Sequence, residues 1–78
     1  MANKNVYKFE IIEKIIMARD FETKEEVVEL AKTMRDIALE NETYSEDVKE
    51  AFREAYNEIK HELTLANLQE IRKIIAED

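Results

Sequence analysis

Glu58 and His61 stand one helical turn apart, and Glu54 lies a further turn upstream on nearly the same line. A Glu-x-x-His element on a helix supplies two metal ligands in di-iron carboxylate bundles, which need that element twice together with further Glu residues. This chain holds one His and no Cys. Only a two-fold dimer could complete such a site, and closed Cys/His zinc sites are excluded. Helical projection sets His61 roughly opposite Val48 and Ile59, on the polar face. A solvated histidine is therefore the expectation, with no metal and no other cofactor.

Nucleophilic chemistry would fall to hydroxyls, namely Thr23, Thr33, Thr43, Ser45 or Thr64. The one His shows no local arrangement that suggests a triad with any of them. No Gly-rich phosphate loop and no dinucleotide fingerprint occurs, because the chain contains no glycine at all. The expectation is a protein that is not an enzyme and has no catalytic residues.

A second constellation is electrostatic. Glu46, Glu50, Glu54, Glu58 and Glu62 recur at every fourth position and form a stripe of carboxylates along one helix. Like charges at this spacing disfavour a helix by about 0.2–0.5 kcal/mol per pair, partly offset here by Lys49, Arg53 and Lys60. The plain reading is a solvated face laced with weak ion pairs. The sharper reading starts from the rise of about 6 Å between successive carboxylates. That spacing resembles the phosphates of one DNA strand, so the stripe could occupy the basic groove of a nucleic-acid-binding protein. A basic protein partner of another kind is the third option.

These residues must be positioned by helices. Gly, Pro and Cys are all absent from the 78 residues, whereas average usage would give roughly nine Gly and Pro together. Tight turns and disulfide clips are thus hard to build, and an all-α fold follows. Thr23-Lys24-Glu25-Glu26 reads as a capping box, with Glu26 providing the return bond to the cap, and opens a helix over about 24–40. Asn41 to Tyr44 is the loop. Ser45 caps a third helix over about 46–62, with Glu46 and Asp47 at its positive dipole end. At Thr64 the apolar phase breaks, and Leu63 with Leu68 has staple spacing, so a fourth helix is placed at about 65–76.

The first helix, about 5–19, is apolar nearly all round. Val6, Phe9, Ile12, Ile16 and Met17 form one arc, and Tyr7, Ile11, Ile15 and Ala18 form another. Residues 6–11 also partly alternate like a short strand, an alternative to the helix. The second face, Tyr7, Ile11 and Ile15, is either covered by helices packing on both sides or left as a patch for a homodimer or a partner helix.

Net charge is −7, from 12 Lys and Arg against 19 Asp and Glu. Such a balance repels nucleic acid and anionic membrane and attracts basic partners. It also argues against a helix-turn-helix, since the would-be recognition helix, 46–62, carries six acids against three bases. No apolar run approaches the roughly 20 residues of a membrane span, nor a signal-peptide core. A single cytoplasmic helical domain over 1–78 is expected, of three to four helices, which a homodimer could complete.

Its expected role is interaction: a regulator, inhibitor or adaptor that binds another protein, of a kind that suits bacterial or phage-type regulators by analogy. The candidate contact residues are Tyr7, Ile11 and Ile15, or Glu46, Glu50, Glu54 and Glu58. The alternatives are an acidic nucleic-acid mimic and a designed bundle without natural function. Against design stand the lone His, the irregular first helix and loops without Gly.

Overall fold

A chain without glycine lacks the residue that most readily takes the left-handed conformation common at helix ends. The computed structural model describes the backbone of residues 4–77 and the side chains of residues 7–77, and none of these residues has positive φ. Four α-helices result: α1 (Lys4–Met17), α2 (Lys24–Glu40), α3 (Glu46–Asn57) and α4 (Leu65–Glu77), with a π-helical segment (Glu58–Glu62) continuing α3. Residues 6–11 are helix, and no strand occurs among the described residues.

The helix starts follow local chemistry. The hydroxyl oxygens of Thr23, Ser45 and Thr64 accept hydrogen bonds from the amides of Glu26, Val48 and Asn67, at 3.3, 3.3 and 3.1 Å. Glu26 differs from expectation in one detail. Its carboxylate accepts from the Glu22 amide at 3.2 Å, one residue before the cap. At Thr64 the box is completed by Asn67, whose side-chain oxygen accepts from the Thr64 amide at 3.0 Å.

The helix ends turn into extended backbone. Asn41 (φ −81°, ψ 109°) closes α2, its amide donating to the Ala38 carbonyl. Leu63 (φ −96°, ψ 137°) closes the π segment, its amide donating to Glu58 at 2.9 Å. The third helix is therefore not α throughout 46–62, since its last turn widens by one residue. The first helix stops at Met17, short of residue 19.

The core is built around α1. Ile11, Ile12, Ile15 and Ile16 face inward against Val27 and Ala31 of α2, Ala51 and Ala55 of α3, Ile59 and Leu68. Ala51 and Ala55 are fully buried, and their small side chains let α1 settle onto α3, its most extensive helix contact. The inward stripe is neither of the two arcs visible in the sequence. It takes Ile12 and Ile16 from one and Ile11 and Ile15 from the other, leaving the outer members of both arcs at its margins. Val6, expected on the first arc, lies outside the described side chains.

Candidate functional site

Of the seven candidate contact residues, the structure removes two from the surface. Ile11 is 7% exposed and Ile15 2% exposed. The Tyr7–Ile11–Ile15 face is thus not a free patch. Helices cover its deeper part, and Tyr7 alone stays half-buried at the margin.

What opens instead are two shallow apolar grooves, one on each flank of α1. On one side, Tyr7, Glu10, Ile11 and Lys14 meet Met34, Tyr44, Val48 and Phe52 around a cavity of about 190 Å³. It continues into a neighbouring hollow of about 200 Å³ lined by Met34, Ile37, Ala38, Tyr44 and Phe52. Tyr44 and Phe52 stack with ring centroids 6.1 Å apart and planes 10° from parallel. The loop that delivers Tyr44 is pinned by Asn41, whose side-chain oxygen accepts from the Thr43 amide at 2.9 Å and the Thr43 hydroxyl at 2.6 Å. Ile37, on the next turn of α2 after Met34, is 63% exposed.

On the other side, Phe9, Ile12 and Glu13 face Glu58, Leu63 and Ile71 across a groove of about 280 Å³. At 100° per residue, the α1 residues lining the two grooves point about 150° apart, on either side of the inward isoleucines. The widened π turn helps form this second groove, because Leu63 follows it directly and lies half-buried against the core.

The carboxylate stripe is divided. Glu50 accepts from Arg53 at 2.7 Å, and Glu58 pairs with Lys8 of α1 at 3.1 Å. Glu58 Oε2 is shielded from water and makes no aligned hydrogen bond among the described residues, so the Lys8 ammonium is its counter-charge. Glu46 and Glu62, at the two ends, are exposed. The lower half lines an open cleft of about 470 Å³ with Lys8, Glu54, Asn57, Glu58, His61 and Glu62. Glu58 forms a wall of both this cleft and the Phe9 groove.

The residues weighed for chemistry have structural surroundings. His61 is exposed on the cleft, and among the described residues no group of three or more His, Asp or Glu side chains converges as a metal would require. All five hydroxyls make local bonds: three cap helices, Thr43 donates to Asn41, and Thr33 donates to the Glu29 carbonyl at 3.0 Å.

Two further long-range contacts have no counterpart in the sequence pattern. Arg72 of α4 donates to the carbonyls of Ile16 and Arg19, both at 2.9 Å, and to Asp20 at 2.6 Å. It thereby satisfies a carbonyl left open at the end of α1. Lys24 similarly donates to the Lys60 carbonyl at 2.8 Å, bringing a cation to the negative end of the third helix. No protein-family model, curated protein or solved structure matches this chain.

Proposed function

We propose that the chain is a small acidic protein-interaction module, a regulator, inhibitor or adaptor that acts in the cytoplasm by binding another protein and performs no chemistry of its own. The observation that carries this reading is the continuous surface of Met34, Ile37, Tyr44 and Phe52 beside Tyr7. Aromatic residues and Met are the types enriched where proteins meet, and a stacked aromatic pair offers contact area at little entropic cost. The two hollows lie open at the surface and are lined mainly by apolar side chains. They suit side chains of a partner surface.

The net charge of −7 supports a partner of basic character and disfavours direct nucleic-acid binding. No helix among the described residues is long and apolar enough to cross a membrane. The nucleic-acid mimic gains less support, because Glu50 and Glu58 already have cations from this chain.

Affinity capture with matched variants tests the reading. A specific protein retained by the wild-type chain should be lost with Ile37→Ser plus Tyr44→Ser, while the circular dichroism of that variant is unchanged. Retention by that variant, combined with loss on reversing Glu50 and Glu54 to Lys, would instead favour the mimic.

A further inference from the structure

We infer that the surface of Tyr7, Met34, Ile37, Tyr44 and Phe52 docks a second copy of this chain, in a two-fold pair whose α1 helices cross antiparallel. This rests on the reading of that surface as an interaction face and names the occupant it takes when no other protein is present. The apolar part is preformed. Ile37 and Tyr44 are exposed, and Asn41 pins the loop that stacks Tyr44 on Phe52. A contiguous apolar face open to water marks a site of association. For a domain this small, a second chain is also one of the few ways to extend the core.

Charge selects the copy. The whole chain carries −7, yet Glu10 and Lys14 are the only charged residues lining the two hollows. The excess of acids falls on residues that do not line them, so the surface itself is neutral. Glu10 and Lys14 are both exposed, and neither side chain makes an ion pair or hydrogen bond among the described residues. They stand one turn apart on α1, about 6 Å along its axis. A two-fold axis crossing α1 between them sets Glu10 of each copy opposite Lys14 of the other, and two ion pairs then close the rim. An isologous interface requires a patch that complements itself in this way. A partner face of one sign would instead set a like charge against Glu10 or against Lys14.

Light scattering and analytical ultracentrifugation of the full chain test the pair. The wild-type chain should dimerise reversibly between micromolar and millimolar concentration. Ile37→Ser, Glu10→Lys and Lys14→Glu should each weaken the dimer at least about tenfold, the last two by opposing like charges across the axis, with circular dichroism unchanged. The decisive step mixes the Glu10→Lys chain with the Lys14→Glu chain. The first presents two cations and the second two carboxylates, so the mixture should form a heterodimer tighter than the homodimer of either. A charge effect confined to one helix cannot produce that rescue. A wild-type chain that stays monomeric at millimolar concentration overturns the proposal, and so does a mixture that stays monomeric. A dimer that Phe9→Ser dissociates and Ile37→Ser does not also overturns it, by moving the contact to the other flank of α1. The two readings fail separately: a monomer that still captures a specific protein sinks only the pair, whereas a dimer with these charge rules that captures none sinks only the foreign partner.

Discussion

Arg72 joins positions more than fifty residues apart in sequence, gathering the Ile16 and Arg19 carbonyls and the Asp20 carboxylate. The carbonyl bonds matter most. Asp20 is 96% exposed at its side chain, and an ion pair so open to water contributes little. Arg72→Met should therefore cost about 1–3 kcal/mol by leaving carbonyls unpaired, while Asp20→Ala costs less than about 0.5 kcal/mol. Thermal melts of the two variants check this, with Tm falling about 4–8 °C per kcal/mol in a domain of this size. None of this clamp is legible in the sequence, where Arg72 is one base among twelve. The caps at Thr23, Ser45 and Thr64 are legible because donor and acceptor lie within three residues of each other.

At the scale of the element, Thr64 and Asn67 satisfy each other's amides at the start of α4. Thr64→Ala should cost about 0.5–2 kcal/mol. A larger loss is expected at the α1–α3 contact, where Ala51 has no room to grow. Ala51→Leu should destabilise by about 1–3 kcal/mol or more through overpacking, measurable as a lowered urea midpoint. The apolar arc of α3 was readable from its spacing. That of α2 was readable except at Ile37, which the spacing groups with Val27, Leu30, Ala31, Met34 and Ala38 but which is 63% exposed because no helix among the described residues packs over that edge of α2. The arcs of α1 were ambiguous because two lie side by side, and which residues turn inward depends on where α3 and α4 pack. The π turn at Glu58–Glu62 was invisible for a related reason. Ile59 and Leu63 keep the spacing of an α-helix in sequence, and the fifth residue in the turn is set by the closure of Leu63 onto the core.

The whole molecule divides α1 into an inward stripe and two outward margins. That division explains how so small a chain can hold an apolar helix on nearly all sides without burying all of it. Ile11, Ile12, Ile15 and Ile16 supply the core, while Tyr7 and Phe9 border separate grooves. A domain of this size has only about 3–5 kcal/mol to lose, so substitutions on the stripe and on the margins should separate cleanly into folding and binding effects. The carboxylate stripe separates too: Glu50 and Glu58, ion-paired with Arg53 and Lys8, are less available than Glu62, which is exposed at the open cleft.

The most direct measurement compares urea unfolding of Ile15→Ala with that of Ile37→Ser, each followed by partner capture. Ile15→Ala should cost about 2–5 kcal/mol, the cavity cost of a buried isoleucine and enough to unfold much of the population. Ile37→Ser should change stability by less than about 0.5 kcal/mol and yet lose the partner. An Ile15→Ala variant that keeps its urea midpoint while losing the partner would contradict the account, because it would place the interaction surface on the face of α1 assigned here to the core.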